Sequence, residues 1–150
     1  MLTEGSLVPA FEAKTSTGQL VASQDWTKPV VLYFYPRDNT PGCTQESCDF
    51  AQRHPEFEKL GVTVYGISRD TASSHEKFKL KYNLPFELIT DPDEALCLLF
   101  DVMVHKNMYG KKVRGIERST FLINEKGVIQ KIWRKVKIEG HVEEVLEALK

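Results

Sequence analysis

The sequence predicts an α/β protein with a central mixed sheet flanked by helices, and three observations carry that expectation. Val30 to Tyr35 is an unbroken apolar run, which reads as a strand buried on both faces. Strand-like and helix-like segments then alternate as far as Phe100, the pattern of a layered α/β sheet. The chain closes on two further strand-like runs and an amphipathic helix.

Taken in order, Phe11 to Val21, with Thr17-Gly18 in the middle, predicts a short N-terminal hairpin. Pro29 introduces the central strand. A segment rich in helix formers runs from about Cys43 to Leu60 and is closed by Gly61. Pro55 lies inside it and removes a backbone donor, so a kink or break is expected near Arg53-His54. Val62 to Ser68 is the next strand. Ser73-Ser74-His75-Glu76 reads as a capping box opening a helix to about Tyr82. Phe86 to Thr90 is a short strand. Asp91-Pro92-Asp93-Glu94 then offers an N-cap, a proline at the first helical position and an acid two residues on.

Val102 to Glu117, with Gly110 and Gly115, shows weak periodicity and predicts a long loop or irregular strand. Ser119 to Asn124 and Val128 to Trp133 form a hairpin across Glu125-Lys126-Gly127. In the last helix Val142, Val145, Leu146 and Leu149 recur at i, i+3, i+4 and i+7, one apolar face. With no repeat, linker or low-complexity tract, residues 1–150 are expected to form one domain.

That length suffices for a core without covalent staples. The net charge of −1 argues against nucleic acid or an anionic membrane as the principal partner. Met1 to Ala10 include Glu4 and no basic region, and no run is long enough to span a bilayer, so a cytoplasmic protein is expected. The chain has 3 cysteines, so one must remain unpaired, which argues against a structural disulfide framework. In a reducing compartment a disulfide is usually transient and catalytic.

The most informative stretch follows the central strand: Tyr35-Pro36-Arg37-Asp38-Asn39-Thr40-Pro41-Gly42-Cys43-Thr44-Gln45-Glu46-Ser47-Cys48. It leads into the first long helix, so Cys43 is expected at or near a helix N-terminus. Unpaired N–H groups and the positive end of the helix dipole stabilise an anion there, and a thiolate is an anion. A thiolate at neutral pH is a nucleophile. With a second thiol at Cys48, the arrangement reads as a redox site. The four histidines, His54, His75, His105 and His141, share no ligand spacing with the cysteines, so neither a metal nor a cofactor is expected.

Pro36, Thr40 and Cys43 fit the Pro-x-x-x-Thr-x-x-Cys signature of the peroxiredoxins. Thr40-Pro41-Gly42-Cys43-Thr44 followed by Cys48 resembles the PrxQ branch, the bacterioferritin comigratory protein type. Downstream, Glu117-Arg118-Ser119-Thr120-Phe121-Leu122-Ile123 resembles the family's arginine-bearing strand. The similarity runs from the N-terminal region to the last helix. It implies a thioredoxin-like fold carrying an N-terminal hairpin and an inserted β-α unit. It also implies a thiol-dependent peroxidase acting on hydrogen peroxide and organic hydroperoxides.

On that resemblance Cys43 is the peroxidatic nucleophile. Thr40 accepts from one peroxide oxygen and donates to sulfur, Pro36 shields the thiolate, and Arg118 supplies a fixed positive charge. Thr40, Gly42, Cys43 and Arg118 would bind substrate, with the N–H groups of Gly42 and Cys43 as oxyanion donors. Cys48 is implied as the resolving thiol, forming an intramolecular Cys43–Cys48 disulfide that thioredoxin or a similar dithiol recycles. Members of this branch are commonly monomers, and a monomer is expected.

Each role has a plainer alternative. Thr40 also reads as a turn residue, and Arg118 as a surface arginine with Arg37 its nearer rival. Glu46, one helical turn from Cys43, reads as a group that bonds loop backbone or orients Arg118, although an acid favourably placed in a helix's first turn is the better reading. Tyr35 is read as pocket wall and Phe50 as core. Cys97, in an apolar helix, reads as a buried structural cysteine, with a back-up resolving role as its alternative. The basic run Lys131, Arg134, Lys135 and Lys137 reads as edge-strand solvation or a docking patch for an acidic reductase. The competing functions are a thiol–disulfide oxidoreductase, disfavoured because that chemistry typically uses a C-x-x-C pair, and a redox sensor or chaperone.

Overall fold

The computed structural model describes residues 1–150. Nine strands and four helices follow one another as β1 (Glu12–Thr15), β2 (Leu20–Ala22), β3 (Val30–Phe34), α1 (Pro41–Lys59), β4 (Thr63–Ser68), α2 (Ala72–Tyr82), β5 (Glu87–Thr90), α3 (Ala95–Leu99), β6 (Met103–Met108), β7 (Lys111–Ile116), β8 (Ser119–Ile123), β9 (Ile129–Arg134) and α4 (His141–Leu149). Seven strands form one sheet in the order β2-β1-β5-β4-β3-β8-β9. The pairs β3–β4 and β4–β5 are parallel, while β1–β2, β1–β5, β3–β8 and β8–β9 are antiparallel, so the sheet is mixed as expected. No helix is long and apolar enough to cross a membrane.

Strand alternation explains why the β3 run is apolar throughout. Val31, Tyr33 and, just beyond the strand, Tyr35 point to one face, among Phe50 and Phe57 of α1, Phe78 of α2 and Val142, Val145 and Leu146 of α4. Val30, Leu32 and Phe34 point to the other, among Ile67, Ile89, Phe100 and Phe121. The two clusters hold 16 and 15 buried residues, so both faces of the central strand are covered. Tyr33 stacks on Phe50 with ring centroids 4.5 Å apart and shares a 2.9 Å hydrogen bond with the Ser47 hydroxyl, which docks α1 on the sheet. Gly66 makes room for that ring: a Cβ there would lie 2.7 Å from Tyr33 and 2.8 Å from Leu88.

Several expectations are corrected. Helix α1 runs unbroken through Pro55, because buried Phe50 and Phe57 anchor it on either side of the lost donor. Helix α2 opens two residues earlier than the Ser73 box: Thr71 is the N-cap, its hydroxyl accepting from Ser74 N–H at 3.2 Å. Glu76 instead accepts from the Ser16 hydroxyl at 2.6 Å. Helix α3 starts only at Ala95, after Glu94 turns with φ 65°. Asp91 nevertheless accepts from the N–H groups of Leu96 at 3.0 Å and Cys97 at 2.8 Å.

The predicted loop at Val102–Glu117 is a two-stranded hairpin, β6–β7, turning at Tyr109 (φ 52°) and Gly110 (φ 78°). Most of both strands is solvent-exposed, so no polar–apolar alternation marks them in the sequence. In the basic run Lys131, Lys135 and Lys137 are exposed, while Arg134 is partly buried. Arg134 donates to the carbonyls of Phe100 at 3.1 Å and Asp101 at 2.9 Å, and Lys131 lies over the Trp133 ring at the β9 edge of the sheet.

His141, at the start of α4, is buried and pairs with the Thr120 hydroxyl at 2.7 Å. Burial first, and then the nearby Arg118 charge, push its pKa down to about 4. The unfolded chain takes up that proton near the ordinary value of 6.5, whereas the folded chain resists until about 4. Stability should therefore fall as pH is lowered through that window, by roughly 3 kcal/mol in full. Denaturant titrations of wild type and His141→Gln at several pH values should show the decline in the wild type and a flatter profile in the variant.

Candidate active site

Strand β3 delivers the chain to a tight loop and then to α1. Pro36 is half-buried and Arg37 exposed, Asn39 turns with φ 62°, and Thr40 is the extended N-cap (φ −89°, ψ 154°), followed by Pro41 at the first helical position. The first bond that α1 closes runs from Thr44 N–H to Thr40 C=O at 2.8 Å. The N–H groups of Gly42 and Cys43 precede it and carry no protein partner. Cys43 is 1% exposed, so its sulfur lies at a helix start but out of bulk water.

Arg118 reaches this point because β8 pairs antiparallel with β3, Ser119 opposite Phe34, placing the residue before β8 beside the loop after β3. The backbone on either side is pinned: Glu117 N–H donates to Val102 C=O at 2.7 Å, and Val136 N–H donates to Arg118 C=O at 3.0 Å. From there Arg118 Nη2 donates to Cys43 Sγ at 3.3 Å and Nη1 to Glu46 Oε1 at 2.6 Å. Gly42 lets the guanidinium approach, since a Cβ on it would lie 3.4 Å from Arg118 Nη2 and 3.1 Å from Ile138 Cδ1. Arg37 makes no ion pair, so the geometry favours Arg118 over its rival.

Glu46 is the residue that sequence reasoning weighted wrongly. It is not a solvated first-turn acid but is 1% exposed, with Oε1 on Arg118 and Oε2 buried without a partner. Burial raises its pKa to about 7 even though Arg118 pulls it back. Burial likewise opposes the charge on Arg118, yet Glu46 and Cys43 together hold its pKa above the ordinary arginine value. The one available signal was spacing: position i+3 from Cys43 places Glu46 on the same side of the helix.

Other expected roles meet mixed geometry. The Thr40 hydroxyl donates to Arg37 C=O at 3.0 Å rather than to sulfur, leaving its lone pairs to accept. Tyr35 is no pocket wall; it is fully buried, and its hydroxyl donates to Asp38 Oδ1 at 2.6 Å. Phe50 is core, as read. Cys48 is half-buried on the same helix as Cys43, and burial, then Asp49, push its thiol up. Cys97 is fully buried, and burial followed by Asp91 pushes its thiol far up, which fits a structural cysteine.

Because the folded chain binds the Glu46 proton more tightly than the unfolded chain does, its ionisation opposes folding. Relative to Glu46→Gln, wild-type stability should fall as pH rises from about 4.5 to about 7 and level off above that. Paired denaturant melts across that range measure the difference.

The family model for the AhpC/TSA family matches residues 5–132. The chain is 50% identical over 146 residues to the putative peroxiredoxin bcp of Coxiella burnetii, covering 97% of each chain. It is 48% identical over 147 residues to peroxiredoxin Bcp of Bacillus subtilis, covering 97% of this chain and 94% of that one. Among solved structures, a cysteine-to-serine mutant of Xylella fastidiosa PrxQ superposes with a TM-score of 0.94 at 41% identity, covering 99% and 96% of the two chains. A structure concerning the alkyl peroxide reduction activity of Xanthomonas campestris bacterioferritin comigratory protein superposes at 0.88 with 47% identity, covering 93% and 89%. With a thioredoxin-like fold common to these proteins and this similarity along nearly its whole length, the chain belongs to the AhpC/TSA family as a peroxiredoxin of the Bcp/PrxQ type.

Proposed function

We propose that this peroxidase uses Cys43 as its nucleophile, Cys48 as its resolving thiol and thioredoxin or a similar dithiol as its reductant, acting as a monomeric single domain in the cytoplasm. The observation that carries the reading is the Arg118 guanidinium 3.3 Å from Cys43 Sγ, at a helix start with free N–H groups. A permanent cation and two unpaired donors favour the thiolate, and they also suit charge developing on a departing oxygen.

The Cys43 thiolate attacks one oxygen of the hydroperoxide. The S–O bond forms as the O–O bond breaks, and the departing oxygen takes a proton to leave as water or an alcohol. Cys43 is now a sulfenic acid. The lone pairs of Thr40 receive the hydroperoxide's O–H, Pro36 limits water at the sulfur, and Gly42 and Cys43 N–H groups face the departing oxygen. Glu46 holds Arg118 by one nitrogen so that the other points at sulfur. Hydrogen peroxide and organic hydroperoxides are both proposed substrates. The alkyl peroxide reduction named for the Xanthomonas relative supports the second class.

Cys48 then attacks the Cys43 sulfur, the S–S bond forms and water leaves. Both thiols lie within α1, five residues apart. On an ideal helix that spacing separates Cα atoms by roughly 8–9 Å and turns them about 140° around the axis. A disulfide rarely tolerates more than about 7 Å. The start of α1 must therefore unwind for the bond to close. An external dithiol restores both thiols by exchange.

Peroxide consumption with and without a dithiol tests the reading, and Cys43→Ser should abolish turnover, because a hydroxyl is not ionised at neutral pH and is a far weaker nucleophile. Cys48→Ser should consume about one equivalent and stall as sulfenic acid. Peptide mapping of oxidised wild type should find Cys43–Cys48 within one chain, with helical content lost over about residues 42–47. A dominant Cys43–Cys97 link would name a different resolving thiol.

Arg118→Ala should slow both alkylation of Cys43 at neutral pH and its single-turnover oxidation, on the order of tenfold or more. If Arg37→Ala produces those losses and Arg118→Ala does not, the two roles are exchanged.

A further inference from the structure

We propose that His75 and Asp38 are positioning residues for peroxide attack: a buried clamp that hangs the loop carrying Thr40 from the body of the fold. The proposal rests on the peroxidase reading above. Both side chains are out of solvent, His75 at 0% and Asp38 at 7% exposure, and neither touches the sulfur chemistry directly. His75 lies on α2, the aspartate on the loop before α1, and 2.7 Å separates Nδ1 from Asp38 Oδ2. The other ring nitrogen, Nε2, lies 3.0 Å from the carbonyl oxygen of Ile89 on β5. A carbonyl only accepts, so Nε2 carries a proton, and one further proton is shared between Nδ1 and the carboxylate. A single imidazole thus ties the loop to a strand of the sheet.

The remaining bonds show that the loop is hung on this post. Tyr35 donates to Asp38 Oδ1 at 2.6 Å and Ser74 to Oδ2 at 2.9 Å, so the carboxylate collects three partners from β3's exit and α2. Its backbone N–H donates to Asp70 Oδ2 at 2.8 Å, and the Ser68 hydroxyl holds that same oxygen at 2.6 Å. The next residue, Asn39, has φ 62°, a left-handed conformation that a non-glycine side chain resists. A strained turn persists only where its surroundings over-determine it. Directly after it comes Thr40, whose hydroxyl direction and carbonyl set the start of α1. Asp38, Asp70 and His75 present ligand-type atoms within 4.8 Å of one another. Their hydrogen bonds to protein groups assign them to the clamp rather than to a cation.

The two bonds of His75 are separable by substitution. Asn places its amide near the Nδ1 position and keeps a donor for Asp38. Gln places its amide near Nε2, reaches for Ile89 and abandons Asp38. If the clamp positions Thr40, then His75→Gln should lower the single-turnover rate of peroxide reduction by roughly 10- to 100-fold, the scale of an ångström-level misplacement. Alkylation of Cys43 should change less than about twofold, because Arg118 and Glu46 are untouched. His75→Asn should stay within about threefold of wild type on both measures.

Wild-type peroxide consumption is measured first, and its absence would sink the peroxidase reading rather than the clamp. Asp38→Ala, which removes the acceptor of all three bonds, provides a second route should His75→Gln fold poorly; it should reproduce the selective loss of peroxide reactivity. Equal losses in His75→Asn and His75→Gln, parallel losses of alkylation and peroxide rates, or wild-type behaviour of His75→Gln and Asp38→Ala would each overturn the proposal.

Discussion

Everything distinctive in this molecule depends on bringing one guanidinium to one sulfur across a sequence separation of 75 residues. No local propensity achieves that. The β3–β8 register does: with Ser119 opposite Phe34, Arg118 must emerge beside the loop that leads to Cys43. A slip of one residue would send every β8 side chain to the opposite face. The register is in turn held by the apolar demand of both faces, with Phe121 and Ile123 on one side of the sheet and Leu122 on the other. The hydrophobic pattern of two strands thus fixes the electrostatics of the site.

That electrostatic arrangement is costly to fold. Burying a carboxylate and a guanidinium together does not reliably stabilise a protein, because desolvation offsets the attraction between them. Glu46 illustrates the balance: even with Arg118 at 2.6 Å, burial wins and its pKa rises to about 7. What the pair provides is direction. With one nitrogen committed to Glu46, the planar guanidinium presents the other to Cys43, and Gly42 leaves the space in which it lies. A lysine would deliver the charge without that orientation.

The architecture was legible wherever burial imposes a pattern. The apolar run at Val30–Tyr35, the period of α4 and the hairpin across Glu125-Lys126-Gly127 follow from residues facing a core, and they appear as read. The β6–β7 hairpin was hidden because it buries almost nothing, and its turn uses Tyr109 at positive φ where sequence signals favour asparagine or glycine. In the site, Cys43 and Arg118 come together as the motif implied. The burial of Glu46 and the bonding of His75 and Asp38 were not legible, because a polar residue reads as solvated until its tertiary partners are known. A weak trace existed for His75, which shares a helix face with Phe78 and Tyr82 at i, i+3 and i+7.

On the mechanism proposed above, two demands meet on the first turn of α1. Peroxide attack needs that turn folded, since only the helix start offers free N–H groups and the approach of Arg118. Closure of a disulfide between thiols five residues apart needs it unfolded. The loop before Thr40 is fastened by side chains from α2, the turn after β4 and the β3 exit, none of which belongs to α1. Beyond Thr40 the restraints change character: Pro41 and Gly42 contribute little to the core, Cys43 and Glu46 are buried and held by Arg118, and Ser47 docks α1 on the sheet through Tyr33. On that mechanism the unwinding lies between Thr40 and Ser47, and it must release the bonds of Arg118 to Cys43 and Glu46. Local opening of so short a segment draws on the low end of the stability spectrum within a fold.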